Sequence, residues 1–136
     1  MKILICGLSG SGKSTLAKAL VKKLEYCFHL NADEIREKYN DWDFSPEGRI
    51  RQAKRMSSLA DELSLMNPDY IIFDFICPTN ETRKLVSPDY VVYMDTIDKS
   101  IYEDTDKVFE IPEFDFKVEK KNAEYYSSKI IEDIKK

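Results

Sequence analysis

Apolar and polar residues alternate in blocks along this chain, and the blocks predict strands and helices in turn. Lys2–Cys6 is a short apolar run that stops at Gly7 and reads as a buried strand. Leu16, Leu20 and Leu24 then recur at every fourth position, beside Ala17 and Val21. That spacing predicts a helix over Lys13–Leu24 with one apolar face. Cys27–Leu30 predicts a second strand, and Asp33–Tyr39 a helix of about two turns. After a turn at Trp42–Pro46, the longest helix is expected over Pro46–Met66. Asn67-Pro68-Asp69 ends it, because proline disfavours continuation. Tyr70–Ile76 is the most strand-like segment. Pro78–Asn80 turns the chain into a short helix over Glu81–Val86, and Tyr90–Asp95 is another buried strand. Residues Ile97–Pro112 have no clear period and read as a loop or lid. Lys121–Ile134 closes the chain as an amphipathic helix with Tyr126, Ile130, Ile131 and Ile134 as its apolar stripe.

Alternating strands and helices predict an α/β protein, a mostly parallel sheet with helices on both faces. Ligands of such sheets sit outside the carboxyl ends of the strands. The 136 residues fit one domain, 1–136, with the lid at about 97–112.

Charged residues make up 34% of the chain, but the signs are mixed and the net charge is −4, so a long nucleic-acid backbone is a poor fit as partner. Cys6, Cys27 and Cys77 are odd in number and lack CxxC spacing, which predicts reduced thiols and no disulfide framework or cysteine metal site. No apolar run approaches the ~20 residues of a membrane span, and Met1 leads straight into the first strand. A cytoplasmic protein is expected, with no membrane partner. Whether two copies pair as a homodimer stays open.

The most specific chemistry lies between the first strand and the first helix. Gly7-Leu8-Ser9-Gly10-Ser11-Gly12-Lys13-Ser14 fits G-x-x-x-x-G-K-[ST] without a departure, and Thr15 follows. Such a loop wraps phosphates with its own N–H groups, so side chains are a hindrance and glycines are favoured. The helix that starts near Lys13 aims free N–H groups at the same anion. Lys13 supplies positive charge to the terminal phosphates, and the Ser14 hydroxyl can hold Mg2+. ATP and Mg2+ are the expected cofactors, on a three-layer P-loop nucleoside triphosphate hydrolase fold.

Acceptor chemistry is expected at the next strand end. A carboxylate at Asp33 can orient or deprotonate a hydroxyl, or it can merely cap its helix. Arg36, one turn later, can grip an anion with its forked guanidinium. On the long helix, Arg49 and Gln52 fall in the same arc as Met56, Leu59, Ala60 and Leu63, with Arg55 at its edge. Inward-facing polar groups at one helix end point to a cavity, unless that end simply extends into solvent. Phe44 can stack on a base or fill the core. Asp74 interrupts an apolar strand, as a Mg2+-binding Walker B carboxylate does, or it is a structural aspartate. His29 reads as packed within its strand.

In this order the motifs resemble adenylylsulfate kinases. The family's GLSGxGKST loop is similar to Gly7–Thr15. Its DGDNxR motif is similar to Asn31-Ala32-Asp33-Glu34-Ile35-Arg36, which keeps the second acid and the arginine. Its GFS-x-x-DR-x-EN-x-RR stretch resembles Asp43–Arg55, and its FISP resembles Phe75-Ile76-Cys77-Pro78. The resemblance implies phosphoryl transfer from ATP to the 3′-hydroxyl of adenylyl sulfate. It also implies Asp33 as the acid or base, with Arg36, Phe44, Arg49, Gln52 and Arg55 on the acceptor. It assigns adenine contact to Phe109-Glu110-Ile111-Pro112-Glu113. The chain departs from the family at Asp74, where a small apolar residue is usual, and in a shorter lid that lacks arginine. Lys99, Lys107 or Arg83 would then supply the lid's cation. Two other functions fit the same loop: a polynucleotide or modified-DNA-base hydroxyl kinase, and a non-catalytic nucleotide-binding regulatory module.

Overall fold

The computed structural model describes residues 1–136. Five strands form one parallel sheet in the order β2-β3-β1-β4-β5: β1 (Lys2–Cys6), β2 (Cys27–Asn31), β3 (Tyr70–Asp74), β4 (Tyr90–Met94) and β5 (Phe116–Val118). The helices are α1 (Lys13–Lys23), α2 (Ala32–Tyr39), α3 (Pro46–Ser64), α4 (Asn80–Val86), α5 (Glu103–Val108) and α6 (Ala123–Ile134).

The apolar runs of β1 and β3 become strands that are buried on both faces, while β2 is half-buried and β4 alternates. Along β1, Ile3 and Ile5 pack with Leu16, Leu20 and Ile130 of α1 and α6. Leu4 and Cys6 point the other way, into a core with Ile35, Met56 and Val86 of α2, α3 and α4. This period-two division is why the run carries no polar alternation. The result is a three-layer α/β arrangement with β1 at the centre, so the loop after β1 opens at the middle of the sheet's carboxyl edge.

Two expectations change. The segment 97–112 is not all loop, since α5 forms within it. Its six residues are too few for periodicity to reveal, and packing decides the outcome. Ser100 anchors its start, with N and Oγ donating to Asp106 Oδ2 and Oδ1 at 2.9 and 2.6 Å. The strand β5 was also unexpected. It is three residues long, pairs only with β4, and carries the charged Lys117, so it lacks an apolar run and is visible only through its pairing.

Candidate functional site

The phosphate loop takes its shape from short-range geometry. Gly7 has a φ of 154°, and a Cβ there would meet the Met94 Cβ at 2.8 Å. Gly12 caps α1 with a left-handed φ of 101° and offers no side-chain cap. The first N–H groups of α1 therefore stay free for an anion. The Lys13 ammonium folds back to donate to the Leu8 carbonyl at 2.9 Å. Burial lowers its pKa, while the charges of Asp74 and Asp33 oppose that shift.

At the ends of β2 and β3 a compact polar cluster stands beside this loop. Asn31 and Asp74 are register partners on adjacent strands. Asp74 Oδ2 accepts from Ser14 Oγ at 2.6 Å and Asn31 Nδ2 at 2.7 Å, and His29 Nε2 lies 3.2 Å away. Burial pushes the Asp74 carboxyl up, but these three hydrogen bonds and the Lys13 charge outweigh it and hold the group below its ordinary value. The carboxylate is thus kept ionised at 3% exposure. His29 touches Asp74 but does not line the cavity.

Asp33 is not the cap of α2. Asn31 fills that role, its Oδ1 accepting from Glu34 N at 2.9 Å. Asp33 is exposed in the first turn and faces a cavity of about 380 Å³. Ser9, Gly10, Gly12, Lys13, Ser14, Thr15 and Asp74 line that cavity together with Asp33, Arg36, Phe44 and Arg49. Gly7, Leu8 and Ser11 do not line it, and Ser11 N donates to the Leu8 carbonyl at 3.1 Å within the loop. Arg36 is buried, and its Nη1 donates to the carbonyls of Asp41 and Asp43 at 2.9 and 3.2 Å. Its guanidinium stacks 4.4 Å above the Phe44 ring. Phe44 in turn stacks with Tyr102 of the lid, ring centres 6.4 Å apart. Arg49 Nη2 donates to Thr105 Oγ1 of α5 at 3.2 Å, so the lid rests against Arg49 and Phe44.

Gln52 and Arg55 do not join them. Gln52 faces inward as its helical position requires, but its Nε2 donates to the Ala32 carbonyl at 2.9 Å and its Oε1 accepts from Arg55 at 3.1 Å. Arg55 also pairs with Asp41 at 3.2 Å and stacks on Tyr39. Their polar groups are satisfied by protein, which is the other way to meet the cost of burial. Phe109–Glu113 also stays out of the cavity. Glu110 bonds to Asn80 and to the Pro78 carbonyl, and Phe109 stacks on Tyr93. Arg83 is held by Cys77, Asn80 and Glu110. Several cavity residues were given no site role from the sequence, among them Asn31, Thr105 and, between β5 and α6, Lys121. No local pattern marks Lys121, because the β5 pairing carries it there.

A glycine-rich loop at the centre of a parallel sheet, with a lysine and a serine opening the next helix, defines the P-loop nucleotide-binding proteins. The family model for adenylylsulphate kinase matches residues 1–107. The chain belongs to that family. An adenylyl-sulfate kinase of Clostridium acetobutylicum is 39% identical over 98 residues, covering 65% of this chain and 49% of that protein. One of Oceanobacillus iheyensis is 40% identical over 85 residues, covering 57% and 41%. The chain thus spans about half the length of the curated relatives it matches. Among solved structures, the Mycobacterium tuberculosis APS kinase in complex with AMPPNP and APS superposes with a TM-score of 0.81. It is 21% identical, over 99% of this chain and 97% of that one. A shikimate kinase from Acinetobacter baumannii superposes at 0.62 with 19% identity, over 98% and 92%. These likenesses show the P-loop kinase fold.

Proposed function

We propose that this protein transfers the γ-phosphoryl group of ATP to the 3′-hydroxyl of adenylyl sulfate. The observation that carries this reading is one cavity lined both by the phosphate loop and by Asp33, Arg36, Phe44 and Arg49. The named relatives support the choice of acceptor.

The chemistry follows from the lining. Loop N–H groups and Lys13 hold the nucleotide phosphates. Phe44 and the arginines face the acceptor, the arginines toward its anionic groups. Asp33 takes the proton from the attacking hydroxyl. The oxygen–phosphorus bond forms as the bond from the γ-phosphorus to the bridging oxygen breaks, and ADP leaves. Mg2+ typically takes only one or two protein ligands and completes its shell with phosphate and water. The buried, ionised Asp74 carboxylate beside the Ser14 hydroxyl fits that role. Held there by Ser14 and Asp74, such an ion would neutralise charge on the nucleotide phosphates. The unpaired thiols Cys6, Cys27 and Cys77 suit the reducing cytoplasm, where ATP is available.

The test is an acceptor panel with γ-labelled ATP and Mg2+. Label is expected on adenylyl sulfate and not on a 5′-hydroxyl oligonucleotide. Label on the oligonucleotide alone, or ATP binding with no transfer to any acceptor, overturns the reading.

A further inference from the structure

Phosphoryl transfer needs cations that are free to meet the triphosphate, and the lid of this chain contains no arginine. Its lysines do not fill the gap. Lys107 is exposed and pairs with Glu103 at 3.5 Å. Neither Lys107 nor Lys99 lines the cavity, and Arg83 is bound elsewhere. Four basic side chains do line it: Lys13, Arg36, Arg49 and Lys121. The first three donate to Leu8, to Asp41 and Asp43, and to Thr105. Lys121 alone has neither a hydrogen bond nor an ion pair.

Its placement is specific. A Cβ built on Gly12 would lie 3.7 Å from the Lys121 Cγ, so the lysine's stem runs along the phosphate loop where α1 begins. Lys121 also lines a smaller pocket of about 110 Å³, which it shares with Gly12, Thr15 and Leu16. It therefore stands on the nucleotide side of the site, opposite the acceptor arginines. The turn between β5 and α6 fixes it there, with Asn122 capping α6 by accepting from Tyr125 N at 3.2 Å.

We propose that Lys121 is a phosphate-binding residue for the nucleotide, supplying from the β5–α6 turn the free cation that the lid lacks. The proposal rests on the reading of the cavity as an ATP site, but its test does not require turnover. ATP, ADP and adenosine binding would be measured by calorimetry, without acceptor, for the wild type and for Lys121→Met, Lys121→Arg and Lys107→Met. A charge-assisted hydrogen bond to phosphate predicts a loss of about tenfold or more in ATP affinity for Lys121→Met. ADP affinity should fall as well and adenosine binding should not change. Lys121→Arg should keep most of the affinity, and Lys107→Met should match the wild type. Wild-type affinity in Lys121→Met, equal losses for ATP and adenosine, or a loss that follows Lys107 overturns the assignment. A wild-type protein that fails to bind ATP overturns the nucleotide reading itself.

Discussion

At Asp74 three donors converge on one carboxylate oxygen, and at Asp41 two arginines do the same work on the surface of α3. Arg51 bonds both Asp41 oxygens at 2.8 and 3.0 Å, and Arg55 adds a contact at 3.2 Å. The Arg51 hydrogen bonds, helped by Asp43 N–H and Arg55 and opposed by burial, hold the Asp41 carboxyl far below its ordinary range. A depressed folded-state pKa stabilises the fold fully above the unfolded value of about 3.9 and ceases to do so as pH falls through the folded value. The stability gap between the wild type and Asp41→Asn should therefore be widest near neutrality and close as the pH drops below about 4. Urea midpoints across that range measure it, and a gap independent of pH would contradict the assignment. Residue by residue, the phosphate loop Gly7–Ser14 was legible in the sequence because its pattern is local, whereas Asp33 was left between a cavity position and a helix cap until Asn31 took the cap. The partners of Asp74 were not legible, because Asn31 and Ser14 come to it from other elements.

Among the elements, α3 divides within two turns. Arg49, in its first turn, faces the cavity and meets the lid, while Gln52 and Arg55 tie the helix to Ala32 and Asp41. Helical periodicity placed all three near one arc, and the family resemblance gave them one role. Neither shows whether an inward polar group finds a ligand or a protein partner. Arg49→Ala should raise KM for the acceptor by about tenfold, as expected for a lost charged hydrogen bond, with little change in thermal stability. Arg55→Ala should leave that KM unchanged and cost about 1–3 kcal/mol of stability through unpaired buried groups. Steady-state kinetics and thermal melts on both variants decide this, and the reverse pattern would contradict the site described. The lid shows the same limit of local reasoning. Its helix α5 is held by Ser100, Tyr102 and Arg49, and only the first two lie in the same stretch of sequence.

Across the whole molecule, the sheet order sets the geometry of the cavity. Placing β1 between β3 and β4 puts the phosphate loop at the centre, with Asp74 and Asp33 to one side and Lys121 to the other. The alternation of apolar runs with helical stripes made this layering legible. The edge strand β5 was too short to show, and with it went the position of Lys121. No helix is long and apolar enough to cross a membrane. The central claim is that this cavity joins ATP to a hydroxyl acceptor through Asp33. Single-turnover transfer from labelled ATP to adenylyl sulfate tests it most directly, with the wild type beside Asp33→Asn. The wild type should form 3′-phosphorylated product, and Asp33→Asn should slow the step by about 10²–10⁴-fold with ATP affinity unchanged. A wild type that binds ATP and forms no product, or an Asp33→Asn variant that reacts at the wild-type rate, would contradict it.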